Sequence, residues 1–347
     1  MLVDSPPEQR AEPAPAPPTH RAARAVGLLL AAVLLVLIAL ASVAVGAKAL
    51  SPDQVWHGLF HGTGTYGDVV VDERLARTVL GLLAGAALGL AGAVLQALTR
   101  NPLADPGLLG INAGASAAVV TAITYCGVTS LTGYVWFAFL GAAAVGALVW
   151  FLGGSRGATP VRLALAGTAI SAALYGYLQA VMILDDAALA KMRFWTVGSL
   201  ASAGYSTIVQ VLPFLAAGMV LALALARPLN AVAMGDDTAR ALGAHLGCTR
   251  ALAMLAATVL CGAATAACGP IVFVGLMVPH VVRSFTGPDL RWILPYATVL
   301  SPVLLLGADV VGRVVARPSE LQVGIVTAVI GGPVFILLVR RRRTAQL

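Results

Sequence analysis

The stretch Arg74–Gly114, RLARTVLGLLAGAALGLAGAVLQALTRNPLADPGLLGINAG, joins a glycine-ridged apolar helix to a proline-broken polar turn and then starts a second apolar run. Gly81, Gly85 and Gly89 fall four apart on one helix face, with Gly92 beside them. Small residues at that spacing let two helix backbones approach closely in lipid. The surrounding leucines and alanines point to tight packing and away from a merely flexible helix. A soluble protein has little use for an apolar helix of this length, whereas a membrane span requires about 20 such residues.

Working outward, the same texture covers the chain. It is 59% hydrophobic and 11% charged over 347 residues, with mean hydropathy +0.90, against roughly 25% charged residues in an average soluble domain. Apolar runs occupy Val26–Gly46, Leu75–Leu98, Leu108–Tyr125, Tyr134–Leu152 and Val161–Leu184. They continue at Ser206–Ala226, Ala251–Ala267, a short Ile271–Val282, Trp292–Val315 and Val323–Val339. The expectation is an all-α polytopic membrane protein of about ten transmembrane helices, some short or broken. Residues 1–24, rich in proline and alanine, read as a disordered cytoplasmic tail. Residues 25–343 form a single transmembrane domain, and 344–347 a short cytoplasmic tail. The first apolar run reads as a retained helix and not a signal peptide, given its length and long leader.

Lysines and arginines accumulate in cytoplasmic loops. With the N-terminus inside and ten crossings, fifteen basic residues are cytoplasmic and seven external, together the chain's 22. Both termini are therefore expected inside. The +7 net charge reflects topology; clustered basic residues with aromatics, as a nucleic-acid groove requires, are lacking. Gly62–Gly67 reads GTGTYG, but no strand is predicted before it, so it is not a dinucleotide fingerprint. No GxxxxGK[ST] motif occurs, nor a nucleophile–base pair, a metal-ligand spacing or a CxxC pair. No catalytic residue, cofactor or metal site follows from the pattern.

Three other segments carry weight. Asn230–Gly247, NAVAMGDDTARALGAHLG, is the largest polar stretch between spans. In it Asp236 and Asp237 can charge the start of a short helix Thr238–Gly243, with Arg240 pointing outward. Eighteen residues is long for a plain connector; a helix–glycine–helix element there suits docking to another protein. Cys268–Asp289, CGPIVFVGLMVPHVVRSFTGPD, brackets with Gly/Pro breaks a helix too short to cross the bilayer, the pattern of a cavity wall. Within it His280 follows Pro279, and either a structural hydrogen bond or a gating role fits. In Gly307–Val323, Asp309 and Arg313 stand four apart and can pair. Arg313, Arg74 and Arg77 all fall at expected external span ends, either as headgroup anchors or as a basic rim for an acidic partner.

The chain resembles the FecCD-type permease family, the membrane subunits of ATP-binding-cassette importers for iron–siderophore complexes, haem and cobalamin. RLAR at 74–77, LQALTRNPLADPGLLG at 95–110, GDDTARALG at 235–243, GPIVFVGLMVPHVVR at 269–283, GAD at 307–309 and ELQVGIVTAVIGGPVFI at 320–336 carry the likeness, in order. It implies a ten-helix type II importer permease that pairs with a second FecCD-type chain, identical or different, and with two cytoplasmic ATP-binding subunits. An external substrate-binding protein delivers the cargo. By the same likeness Asp236, Asp237, Thr238, Ala239, Arg240, Ala241, Leu242 and Gly243 form the coupling helix. Arg74, Arg77 and Arg313 meet acidic residues of the binding protein. The gate region reads Ala158-Thr159-Pro160-Val161 and departs from the hydroxyl-rich turn of the best-known cobalamin permease, so Thr159 and Pro160, with Pro279 and His280, are candidate gate or pathway residues. The cargo expected is a ferric siderophore, with haem or cobalamin the alternative. An ion-coupled secondary transporter is the rival class, but it needs midplane carboxylates, and Asp309 is the one acidic residue inside an expected span.

Overall fold

Side-chain caps set where several helices begin. Ser51 caps α2 (Pro52–Phe60) and Thr65 caps α3 (Tyr66–Thr99), each in a reciprocal capping box. Asp185 accepts from two backbone N–H groups at the start of α7 (Asp186–Trp195), and Asp289 accepts from Arg291 N–H to open α13 (Leu290–Val315). The remaining helices are α1 (Thr19–Ala44), α4 (Ile111–Tyr125), α5 (Leu131–Gly154), α6 (Pro160–Leu184), α8 (Tyr205–Ala224), α9 (Ala226–Ala233), α10 (Asp236–Ala241), α11 (Leu246–Cys268), α12 (Val274–Thr286) and α14 (Val323–Thr344). A 3-10 turn spans Pro106–Leu109. The structure, a computed structural model, describes residues 19–61, 64–128, 130–154, 160–201, 204–241, 243 and 245–344. Among the described residues there is no β-strand.

Seven helices, α1, α3, α5, α6, α8, α11 and α13, are long and apolar enough to cross a membrane. The apolar helices Ile111–Tyr125 and Val323–Leu337 are shorter, and α12 has 13 residues. Each of the ten expected apolar segments thus has its own helix at its core, with α2, α7, α9 and α10 in the connections. The protein is an all-α polytopic membrane protein.

Two boundaries differ from expectation. Residues 19–24 are helical and not part of a disordered tail, because nothing between Thr19 and Val26 breaks a helix and alanine and arginine favour one. Residues 1–18 lie outside the described residues, as do 345–347, whereas Thr344 still belongs to α14. The second span begins at Tyr66, well before Leu75, because Thr65 and Asp68 cap it there. At 34 residues α3 is about 51 Å long at 1.5 Å per residue, against a hydrocarbon core of roughly 30 Å. Arg74 and Arg77 accordingly lie two to three turns inside the helix.

α3 is the axis of the bundle, with 83% of its apolar window buried, whereas α1 and α6 are only 17% buried. The glycine ridge explains how α3 can be so enclosed. A Cβ on Gly85 would stand 2.6 Å from Cα of Pro302, and one on Gly89 would strike Ser301 and stand 2.8 Å from the Ala297 carbonyl. Gly81 abuts Leu306, and Gly92 lies directly on the carbonyl of Gly275. The ridge therefore packs α3 against α13 and α12 within one chain.

At that last contact Pro279 matters. Proline has no N–H to give the carbonyl four residues earlier, here Gly275. Buried Gln96 of α3 donates its amide to the Gly275 carbonyl at 3.4 Å and to Leu276 at 3.0 Å. A side chain from a neighbouring helix thus supplies hydrogen bonding beside the break, the condition under which a proline is tolerated at membrane depth.

Candidate functional site

The two ends of the bundle carry its charged groups. At one end, external by the basic-residue distribution, α1 finishes and leaves carbonyls that no helical N–H can reach. Arginines meet them. Arg74 donates to the carbonyls of Val43 at 3.1 Å, Ala44 at 3.0 Å and Lys48 at 2.5 Å. Arg313 donates to those of Ser42 at 2.8 Å and Val45 at 3.0 Å, and to the Ser42 hydroxyl at 2.9 Å. Arg317 reaches the Gly46 carbonyl at 2.7 Å. The negative end of the α1 dipole adds to this attraction.

Two carboxylates complete the cluster. Asp309, 0% exposed, pairs with Arg313 at 2.9 Å, the i,i+4 contact expected from its spacing, and with Arg77 through Nε and Nη2 at 2.6–3.1 Å. Arg77 turns its remaining nitrogen, Nη1, to Glu320 at 2.6 Å. Glu320 lies on the short stretch between α13 and α14 and was not singled out as a site residue, although it opens the block ELQVG. Arg74, Arg77 and Arg313 are all buried, turned into the bundle and not outward. A cavity of about 270 Å³ opens beside them, lined in part by Lys48, Tyr66, Glu73 and Glu320. Lys48 bonds the Tyr66 hydroxyl and sits 4.0 Å from its ring centroid.

At the opposite end α9 and α10 form the polar connection. The short helix runs over Asp236–Ala241, two residues earlier than expected, after Gly235 at φ +113° turns the chain. Gly243, at φ +78°, follows it, and Leu242 lies outside the described residues. Ala239 is fully buried against Val232 and Leu246 and seats the helix. Asp236 points back at the bundle, not outward: it accepts from Arg250 at 2.9 Å and from Arg100, just past the end of α3, at 3.0 Å. Burial draws its pKa up, but the Arg250 hydrogen bonds and the charges of Arg250, Arg100 and Arg240 outweigh that and hold the carboxyl below its ordinary value. Thr238, Arg240 and Asp237 are exposed, the last two paired at 3.0 Å. Nearby, Asp289 accepts from Asn230 at 2.7 Å and pairs with Arg291 at 2.8 Å, fastening α9 to α13.

Between the ends, α6 presents Thr168, Tyr175 and Gln179 on one exposed face, whereas the Tyr177 hydroxyl, on the opposite face, meets Thr121 of α4 at 2.8 Å. The inner end of α6 borders a cavity of about 380 Å³ that includes Thr99, Asp105, Val161 and Thr168. Thr159 lies outside the described residues; Pro160 is the first residue of α6. Pro279 is buried in α12 and His280 is partly buried there. The structure brings the three arginines together, groups the coupling residues separately at the other end, and leaves Pro279 and His280 apart from both.

Ten apolar helices among the described residues, one of them a glycine-packed axis, with charged clusters at opposite ends and a seated helix in a polar loop, define a multi-pass membrane permease. A model of the FecCD transport family matches residues 34–341. The chain is 48% identical over 327 residues to the ferric enterobactin transport system permease protein FepD of Escherichia coli (strain K12), covering 93% of this chain and 96% of FepD. It is 37% identical over 324 residues to the hemin transport system permease protein HmuU of Yersinia pestis, covering 92% and 96%. A solved inward-facing metal-chelate type ABC transporter matches with TM-score 0.80 at 27% identity, covering 91% of this chain and 99% of that one. The chain belongs to the FecCD transport family, and is a permease subunit of an ABC importer.

Proposed function

We propose that this permease carries a ferric siderophore across a bacterial cytoplasmic membrane, driven by ATP hydrolysis in separate partner subunits. The likeness to FepD, 48% over 93% of the chain, carries the choice of cargo. The chain has no P-loop of its own, so two ATP-binding subunits supply the nucleotide chemistry. A second FecCD-type permease, identical or different, completes the path. Hydroxyl, phenol and amide groups facing outward from an apolar helix are costly against lipid. The exposed polar side of α6 therefore suits a path shared with that second chain. Thr159, outside the described residues, and Pro160, which opens α6, stay candidate gate residues by the family resemblance, while Pro279 and His280 lie on α12.

In this reading Asp236–Gly243 is the coupling helix. The exposed Asp237, Thr238 and Arg240 face the ATPase, and buried Ala239 with Asp236 anchors the helix to the bundle. At the outer end, the cluster of Arg74, Arg77 and Arg313 draws acidic residues of an external substrate-binding protein into the cavity beside it, with Arg313, 1% exposed, contributing its charge and not a direct contact. Their cluster holds three arginines against the carboxylates of Asp309 and Glu320, a positive excess that attracts such a partner. The glycines Gly81, Gly85, Gly89 and Gly92 hold α3 in place between the two docking ends.

Uptake decides the cargo. In a strain lacking this gene, accumulation of labelled iron is measured from a panel of ferric siderophores that includes ferric enterobactin and a ferric hydroxamate, with hemin in parallel. Loss of at least one siderophore on deletion and its return on complementation is the expected result. Restoration of hemin uptake alone would transfer the cargo to the haem class.

A further inference from the structure

We propose, on the docking reading above, that Glu320 is an internal occupant of the docking site, which an acidic side chain of the binding protein displaces from Arg77.

The two carboxylates that face Arg77 are unlike. Asp309 is 0% exposed, engages both Arg77 and Arg313, and lies inside the bundle. Glu320 has a 35% exposed side chain, meets Arg77 at one nitrogen, and borders the 270 Å³ cavity. Asp309 takes the inner edge of the guanidinium and Glu320 the outer. An incoming carboxylate can reach only the outer one. Arg74 stands beside it with its hydrogen bonds given to neutral carbonyls of Val43, Ala44 and Lys48. Its charge is therefore offset by dipoles and remains open to a carboxylate entering the cavity.

The backbone around Glu320 is anchored, which confines the exchange to a side chain. Leu321 N–H donates to the Gly312 carbonyl at 3.1 Å, and Gly324 N–H to the Gly198 carbonyl at 3.2 Å. Glu320 can therefore swing out and leave α13 and α14 in place. Without a partner, Glu320 neutralises Arg77 and limits the positive excess of the rim. With the partner bound, the outer edge of Arg77 keeps a carboxylate throughout. An ion pair whose carboxylate is about one-third exposed is weak enough to be exchanged, whereas the fully buried Asp309 pairs are not.

The test measures docking of the binding protein to the intact transporter, permease with its ATPase subunits, in lipid nanodiscs. Glu320→Gln removes the competitor and is expected to tighten docking about two- to five-fold, the fold-change for loss of one partly exposed ion pair. Glu73→Gln removes a carboxylate that lines the same cavity without bonding Arg77 in the described structure, and controls for net charge. It is expected to change docking less. Equal tightening by both would reduce the effect to overall field and overturn the displacement. Should Glu320→Gln fold poorly, Glu320→Asp keeps the charge with a shorter reach and is expected to tighten docking likewise; unchanged docking overturns the proposal. Arg74→Gln separates the underlying reading. If it weakens docking while Glu320→Gln has no effect, the displacement fails and the docking site stands. If Arg74→Gln docks as wild type does, both fail.

Discussion

Arg77 and Asp309, 232 positions apart in the chain, meet in a two-pronged ion pair of 2.6–3.1 Å between α3 and α13. Asp309 also holds Arg313. Its removal takes a carboxylate from two buried arginines at once, leaving Arg77 only Glu320 and Arg313 only neutral oxygens, and breaking a buried pair typically costs about 3–5 kcal/mol. Arg77→Met leaves Asp309 still paired with Arg313. Asp309→Ala is therefore expected to destabilise the purified permease more than Arg77→Met, as read from thermal unfolding in detergent. The reverse order would mean that Asp309 is not the centre of the cluster.

The glycine ridge makes a position-specific prediction. Gly85→Ala forces a methyl group against the Pro302 backbone, and overpacking of this kind costs about 1–3 kcal/mol. Gly176→Ala on α6 meets nothing within 4 Å. The first substitution is expected to lower the yield and melting temperature of folded permease, and the second to leave both near wild type. Equal behaviour would place the ridge against lipid.

Gln96 and Pro279 are expected to be coupled. Gln96→Leu removes the donor to Gly275 and Leu276 and leaves buried carbonyls short of a partner, at about 1–3 kcal/mol. Pro279→Ala returns a backbone N–H that can serve Gly275. Unfolding free energies of the two single variants and the double variant give the cycle. The Gln96→Leu penalty should shrink in the Pro279→Ala background, and a strictly additive cycle would rule out the compensation.

Reversing charge on the coupling helix isolates its outer face. Asp237→Arg with Arg240→Glu preserves their mutual ion pair but inverts the charge pattern presented outward. Buried Ala239 is left untouched. We expect folded, membrane-inserted permease whose ATPase partner no longer responds to the binding protein. Wild-type stimulation of ATP hydrolysis would remove Asp237 and Arg240 from the ATPase contact.

Asp289 gives a pH signature at the same end of the molecule. The Arg291 hydrogen bonds, against the opposing effect of burial, lower its pKa from 3.8 to about 2. A depressed carboxylate contributes stability that is fully present above its unfolded value and is lost as pH falls through the folded one. The contribution of Asp289 is therefore expected to fade from about pH 4 down to about pH 2. Helical circular dichroism in that window should show Asp289→Asn less stable than wild type at neutral pH but less sensitive to acid. Parallel acid titrations would contradict the assignment.

Much of this protein is legible in one dimension. The ten apolar segments, the broken helix between Gly269 and Gly287, the small-residue spacing at 81, 85 and 89 and the Asp309–Arg313 pair depend on contacts within a few turns of one helix. Hydrophobic length, helical period and basic-residue placement encode such contacts directly. The polar loop at 230–247 stood out for the same reason, although its helix proved to start two residues earlier, since Gly235 and the seat of Ala239 decide the boundary.

What the tertiary structure alone decided is which long-range partners each charged or polar group meets. Nothing in the local pattern near Arg74 indicates that it faces the last carbonyls of α1, or that Arg77 divides its donors between Asp309 and Glu320. Nothing near Gln96 in the chain indicates that its amide meets the Gly275 and Leu276 carbonyls beside Pro279. Asp236, read only as charging the start of a short helix, is tied to the bundle by Arg100 and Arg250. These outcomes share one physical cause. In a bilayer every buried donor, acceptor and charge must find a partner within the protein, and helix packing selects that partner across hundreds of residues. Sequence periodicity sets which face of a helix is buried; close packing of α3 on α12 and α13 sets what that face meets.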